Sequence, residues 1–331
     1  MTALRQQHDV LLEGTDPVFP KAIKQNPEVR RGTRSCLADD TSGPGIFVPS
    51  RPGRHTFNRM TVQFCRPQPP LSQYVELLTW YAGFEPDYAH ERILPQGVVE
   101  LVIDLTEPPK YIFDNDSLAI TQTCKKAWIA GLRHEFITIS ALPGSSMMVV
   151  RFREGMAYPL LQLPLGLLKN QVLPAELTLD PDISRLREQL VNAPTPGEKF
   201  AFTLAFLTRR LGRGIVVHPA VAFAVEKMLA NPAQVTVDAI ARKTGWSHKH
   251  LVALFDKFVG VSPKEFMRIC RFQKAVTAIG EATSVDWSNV VYDCGYYDQA
   301  HFIKDFKRFS GLSPAAYLGE RGDDLNYLPR R

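Results

Sequence analysis

Cysteine is scarce in this sequence. Five thiols, Cys36, Cys65, Cys124, Cys270 and Cys294, are scattered over 331 residues without paired or metal-ligand spacing. That excludes a disulfide-stapled scaffold or a zinc module as the organising principle, and an odd, sparse set reads as reduced thiols in a cytosol. Long apolar runs are also missing. The best candidate, residues 160–168, is short and broken by Pro164, far below the roughly 20 residues that cross a bilayer. The start of the chain lacks an apolar core of signal-peptide length. The expectation is a cytoplasmic protein with no membrane partner. Ligand clusters are absent as well. His90 and His134 stand alone in the N-terminal domain, so neither a metal nor a cofactor is expected. Glu100 and Asp104 lie at i, i+4 and share a face of a strand. No nucleophile, base or phosphate loop accompanies them, so a solvated strand face is expected and no catalytic residue is assigned.

What remains is an ordinary globular composition, 45% hydrophobic and 22% charged, with a net charge of +5. A mild positive charge is compatible with a polyanionic partner without identifying one. The length suggests two domains. Residues 1–55 mix charge, Gly, Pro and Ser without hydrophobic periodicity and read as a poorly ordered arm. Residues 56–212 read as a mixed, β-rich domain. Residues 71–83 suggest a helix with Tyr74, Leu77, Leu78 and Tyr81 on one side. Short β-type runs follow at 98–105, 110–113, 128–132, 136–141 and 147–152, punctuated by Pro and Gly as in a small barrel or sandwich. Helices are then expected at 155–161, 181–191 and 197–211, and Arg213-Gly214 looks like a joint. Residues 213–319 read as all-α and residues 320–331 as a flexible tail. The fold class is therefore α+β, a β-rich domain followed by a helical one.

The helical part contains a repeat. Asp238 to Trp246 matches Ser288 to Tyr296, fifty residues downstream; both segments are short apolar helices ending in Gly plus an aromatic. With one residue inserted at the turn, Leu251, Phe255, Gly260 and Ser262-Pro263 then match Phe302, Phe306, Gly311 and Ser313-Pro314. Each copy is helix, Gly-containing turn, helix, the layout of a helix-turn-helix, spanning 235–258 and 286–309. In the second copy Phe302, Phe306 and Phe309 recur at i, i+4 and i+7 and point inward. In the first, Leu251, Leu254, Phe255 and Phe258 form the equivalent stripe. Between the copies, residues 263–280 read as one helix that spans roughly 27 Å, comparable to the roughly 34 Å of one DNA turn. Trp246, Tyr296 and Tyr317 are expected in the core.

These motifs resemble the AraC/XylS family of bacterial transcription regulators. The resemblance runs from His218 to Leu318 through Gly245-Trp246-Ser247, Gly260-Val261-Ser262-Pro263, Gly295-Tyr296-Tyr297-Asp298-Gln299-Ala300-His301-Phe302 and Phe306 to Tyr317. It implies a double-stranded DNA partner and base contact by Lys249, Val252 and Ala253 in the first unit and Gln299, Ala300, His301, Ile303 and Lys304 in the second. Ala253 stands where many members carry Arg, which removes a strong guanine reader. Ser247, Lys257, Lys307 and Arg308 are expected on phosphates, where they set affinity rather than sequence choice. Ile93 to Ile103 resembles a subgroup with a cupin-like N-terminal domain, and the pattern implies no particular ligand. In the family such a domain often senses a small-molecule effector or dimerises, and RNA polymerase is an expected partner. The competing class is a DNA-targeted enzyme, such as an alkyl-transfer repair protein, which needs an activated acceptor cysteine.

Overall fold

The computed structural model describes residues 46–47, 60–212, 214, 217–282, 285–322 and 324–330. All belong to one compact unit that starts at Gly43. Two antiparallel sheets build its β-rich part. The larger runs, in spatial order, β1 (Ile46–Phe47), β2 (Thr61–Cys65), β3 (Val75–Phe84), β10 (Ser145–Phe152), β5 (Glu100–Asp104), β8 (Ala127–Ala130) and β11 (Val172–Pro174). The smaller runs β12 (Tyr327–Arg330), β4 (His90–Ile93), β9 (Ile137–Ser140), β6 (Lys110–Phe113) and β7 (Ile120–Cys124). Alternation sets the faces. In β10, Met148, Val150 and Phe152 are fully buried with Leu78, Leu101, Ile103 and Ile129, and the same core holds Leu160 of α1 (Tyr158–Leu161), Leu179 of α2 (Glu176–Leu179), Leu186 of α3 (Asp182–Asn192) and Phe206 of α4 (Pro196–Leu211). The other face meets the smaller sheet: Trp128 and Ala130 pack on Ile112 and Ile137, and Lys110 reaches Asp104 at 3.3 Å.

The helical part follows as α5 (Pro219–Ala230), α6 (Val237–Thr244), α7 (His248–Phe258), α8 (Pro263–Glu281), α9 (Trp287–Asp293), α10 (Gln299–Ser310) and α11 (Pro314–Glu320). Its starts are written in side chains. Thr236, Ser247, Asp286, Asp298 and Ser313 each accept a bond from an early helix N–H, and Ser262 forms a full capping box with Glu265. Gly245 and Gly295 end the first helix of each unit at φ +73° and +76°, a left-handed turn that a Cβ disfavours.

Four expectations are corrected. Residues 71–83 are not a helix. A single 3-10 turn at Leu71–Gln73 leads into β3, which pairs with β2 on one side and β10 on the other. The helical spacing of Leu77, Leu78 and Tyr81 lost to this two-sided pairing, which suits the Thr79-Trp80-Tyr81 run. Glu100 and Asp104 are not a solvated face. Asp104 is buried against Lys110 and accepts from the Thr106 amide and hydroxyl, while Glu100 pairs with Arg151 at 3.1 Å. The 320–331 tail is not free throughout. Tyr327–Arg330 adds a strand to β4, with Leu328 fully buried and the Tyr317 hydroxyl donating to the Leu325 carbonyl at 2.8 Å. In the arm expected to be poorly ordered, β1 pairs with β2; the rest of 1–55 lies outside the described residues.

The joint expected at 213–214 falls between the last helix of the β-rich part and α5. Gly214 has φ +78°, and residues 213, 215 and 216 lie outside the described set. The chain leaves one part for the other there, but the core does not. One apolar cluster runs from Leu101 and Phe152 through Val221 and Val225 of α5 to Phe255 and Phe266 of α7 and α8. A second joins Leu94 and Leu328 to Phe272, Phe306 and Phe309.

Candidate nucleic-acid interface

Both units present their second helix outward from a packed stripe. In α10, Phe302, Phe306 and Phe309 are buried, and Phe272 of α8 lies against Phe306 and Phe309 with ring centroids 5.2 and 4.9 Å apart. Asp305 is buried beside them and takes a two-pronged pair from Arg268 of α8 at 2.5 and 3.2 Å. This pair fixes α10 on the connecting helix both along its axis and about it, because a fork-to-carboxylate contact has one good geometry. The residues left outside are Gln299, Ala300, His301, Ile303, Lys304, Lys307 and Arg308, and all seven are exposed. His301 keeps Nε2 at 3.7 Å from Asp305 and its ring edge-on to buried Tyr296, so this side chain holds both a structural contact and an open face.

In α7, Leu251, Leu254, Phe255 and Phe258 are buried, and Phe255 meets Phe266 of α8. Ser247, Lys249 and Ala253 are exposed and Val252 is half-buried. Lys257 is exposed but lies over the Tyr158 and Phe258 rings at 5.5 and 5.3 Å, so part of its reach is engaged with the β-rich part. Trp246 is not a core residue. It is 40% exposed and stacks on His250 at 4.2 Å. His218 completes that cluster. Its Nδ1 accepts from the Ala220 N–H at 3.2 Å, which needs the neutral ring, and burial with His250 and Lys257 nearby pushes its pKa down. Tyr296 and Tyr317 are buried, as the sequence suggests.

The helix that joins the units, α8, has 19 residues and is about 28 Å long. Contacts from the β-rich part fall on it and on both recognition helices. Lys169 pairs with Glu265 at 2.9 Å. Gln273 donates to the Pro95 carbonyl at 2.7 Å. Gly166 meets Asp256 at the end of α7, and Phe136 packs on Gly311 at the end of α10. One exposed residue escaped the sequence reading. Tyr297 is 92% exposed in the turn before the α10 cap. The signal was the single residue inserted there relative to the first unit. Every described thiol is buried, and burial raises each one, Cys124 and Cys294 to about 11 and Cys270 to about 12. Cys36 lies outside the described residues.

Two family models match the chain, a helix-turn-helix domain over residues 227–320 and a domain of unknown function, DUF6597, over residues 63–174. The HTH-type transcriptional activator AarP of Providencia stuartii is 30% identical over 106 residues, covering 31% of this chain and 76% of AarP. The chain belongs to the AraC/XylS family. An uncharacterized HTH-type regulator of Haemophilus influenzae is 23% identical over 124 residues, and the match spans 34% of this chain and 41% of that relative. Among solved structures, ToxT of Vibrio cholerae aligns over 79% of this chain and 98% of its own, with 13% identity and a TM-score of 0.41. In this chain a β-rich part precedes the helix-turn-helix region. No helix among the described residues is long and apolar enough to cross a membrane.

Proposed function

We propose that this AraC/XylS-family chain is a sequence-specific transcription regulator that lays α7 and α10 into successive major grooves on one side of a duplex. The observation that carries this reading is the repeat itself, seen as two outward helices on one rigid connector. Each is capped by Ser247 or Asp298, each is anchored by an apolar stripe, and both sit on α8. A connector of about 28 Å suits one turn of B-DNA, roughly 34 Å. In this reading Lys249, Val252 and Ala253 face bases in the first groove, and Gln299, Ala300, His301, Ile303 and Lys304 face them in the second. Gln299 offers the amide fork that fits adenine, and Val252 and Ala253 suit thymine methyls. Ser247, Lys257, Lys307 and Arg308 hold phosphates, and Tyr297 joins them at the α10 turn.

Residues 56–212 act as the regulatory domain and residues 213–319 as the DNA-binding domain. A small-molecule effector, a second copy of the chain and RNA polymerase are its further partners, in the cytoplasm. The alternative alkyl-transfer reading needs a thiolate, and burial pushes all four described thiols up, away from that form. Selection of duplexes from a random pool, followed by binding with the full chain, tests the reading. Gln299→Ala is expected to relax discrimination by about 1–3 kcal/mol at one base pair. Equal losses on selected and random duplex would remove Gln299 from the base-reading set.

A further inference from the structure

Each sheet of the β-rich part ends in strands with one unpaired side. Such edges invite pairing with another chain, and proteins guard them with Pro, charge or cover. β12 carries Pro329 and Arg330. β11 ends in Pro174, and its Val172 carbonyl accepts from the Gln122 side chain at 2.7 Å. β7, with the sequence Ile-Thr-Gln-Thr-Cys, holds neither Pro nor charge, and its Ile120 is 56% exposed. The ladder fixes which backbone groups β7 offers. Tyr111 of β6 turns its N–H to the Ser140 hydroxyl at 2.9 Å, away from β7, and its register partner in β7 is Thr123. Opposite residues of an antiparallel pair exchange both bonds or neither. Thr123 therefore turns its N–H and its carbonyl outward, where neither meets a backbone partner among the described residues. Charge flanks the strand asymmetrically. In the turn before it, Asp114 accepts from the Ser117 amide and hydroxyl, which leaves Asp116 exposed outside the turn. Just after it, Lys125 and Lys126 are exposed. Asp116 and the two lysines form no ion pair among the described residues.

We propose that β7 is the docking edge for a second copy of this chain, paired antiparallel so that the two smaller sheets run together across the contact. Antiparallel pairing brings Lys125 of each copy towards Asp116 of the other, whereas parallel pairing sets like charge on like. The outward N–H and carbonyl of Thr123 then find partners in the facing strand, and Thr and Ile suit that geometry. β7 lies across the smaller sheet from β12, whose Leu328 packs with Phe306 of α10, so the contact is made at the far edge from the second recognition helix. One short strand is a small interface, which makes the dimer weak in free solution. Two copies on one duplex gain by avidity. A self-complementary contact has two-fold symmetry, so the two DNA-binding parts meet inverted sites. This inference names the surface used by the second copy among the proposed partners. Its inverted-site step rests on the DNA-binding reading; the edge pairing does not.

The test is sedimentation velocity of the full chain over a series from micromolar to near-millimolar protein. A reversible monomer–dimer equilibrium is expected. Thr123→Pro deletes an outward N–H and leaves the β6 ladder its bonds. It is expected to raise the dissociation constant about tenfold or more, because symmetry removes two hydrogen bonds at once. Lys125→Glu and Asp116→Lys are each expected to weaken the dimer, and the double variant to restore it. Thermal melts confirm that each variant folds; where Thr123→Pro does not, the charge swap alone decides. A chain that stays monomeric at every concentration overturns the assignment and leaves the edge to a foreign strand. A dimer indifferent to Thr123→Pro and to both charge changes, or a double variant that fails to recover, overturns the antiparallel contact. Affinity for a duplex with a single site, measured on the same variants, reads the DNA-binding proposal on its own: unchanged affinity in a monomeric variant keeps that proposal whatever becomes of the edge.

Discussion

Removing one arm of the Arg268–Asp305 pair is the sharpest perturbation of the second recognition helix. Asp305 is nearly out of solvent, and both of its carboxylate oxygens receive the Arg268 fork at 2.5 and 3.2 Å. Breaking a fully buried pair costs about 3–5 kcal/mol, because the remaining charge is stranded. Here the Arg268 side chain keeps 26% of its surface in water and lies over the Phe309 ring at 5.5 Å, so the guanidinium is partly rescued. Asp305→Ala is expected to cost about 2–3 kcal/mol. Arg268→Met should cost a similar amount, since it strands the more buried partner. The double variant should cost much less than the sum, with a coupling of about 1–3 kcal/mol. Urea unfolding of the four proteins at constant m-value measures this. The DNA consequence is separate. Loosening α10 from α8 should degrade reading of the second half of the site while the first half is kept. Additive single costs, or a coupling below about 0.5 kcal/mol, would refute the claim that the pair acts as one lock.

Three further outcomes follow from other parts of the fold. Burial, reinforced by Asp324 against an opposing Tyr88 hydrogen bond, raises the Glu91 carboxyl from 4.5 to about 7. A raised carboxyl favours the folded state below its unfolded value, and that contribution fades as pH climbs from about 4.5 through 7. Glu91→Gln should remove up to about 3 kcal/mol of that decline in chemical-denaturation stability across the window, and an unchanged slope would count against it. Leu328→Ala, at a fully buried site, should cost about 2–4 kcal/mol in unfolding experiments, whereas a free tail would show almost none. Lys307→Ala should weaken selected and random duplex alike and lower the salt slope by about 1; a constant slope would remove it from the phosphate set.

The helical half was legible because its signals are local. A cap residue, an apolar stripe at helical spacing and a Gly at the turn all lie within about a dozen residues, and each appears twice. The strands with strong β composition were legible for the same reason; Lys110–Phe113 matches its expected bounds. What escaped was decided by distant partners. Residues 75–84 carry leucine spacing that fits a helix, and only the flanking β2 and β10 make them a strand. The Tyr327–Arg330 strand has too few residues to announce itself and exists because β4 offers an edge. Asp104 looks like a surface carboxylate until Lys110 folds over it from the facing sheet. Among the candidate interface residues, exposure followed from periodicity, so the outward set on α10 was readable. Trp246 was misplaced because its stacking partner His250 belongs to the next helix.

The merging of the two cores changes what regulation has to mean here. Two domains on a flexible linker communicate by tethering alone, and a ligand in one leaves the geometry of the other untouched. In this chain the apolar cluster under β5 and β10 continues into α5, α7 and α8, and a second cluster ties Leu94 and Leu328 to the core of the second unit. Polar contacts cross at Lys169–Glu265 and Gln273–Pro95. Close-packed cores do not deform smoothly; they shift between discrete packings. A duplex that asks for a different α7-to-α10 spacing must therefore repack the β-rich part as well, and anything that stiffens that part biases which spacing is available. By linkage the coupling runs both ways with equal free energy. Hydrogen exchange supplies the check. Duplex binding should alter protection in β4 and β10, whose backbone touches no DNA in the proposed mode, and protection changes confined to α6–α11 would show that the continuous core transmits nothing.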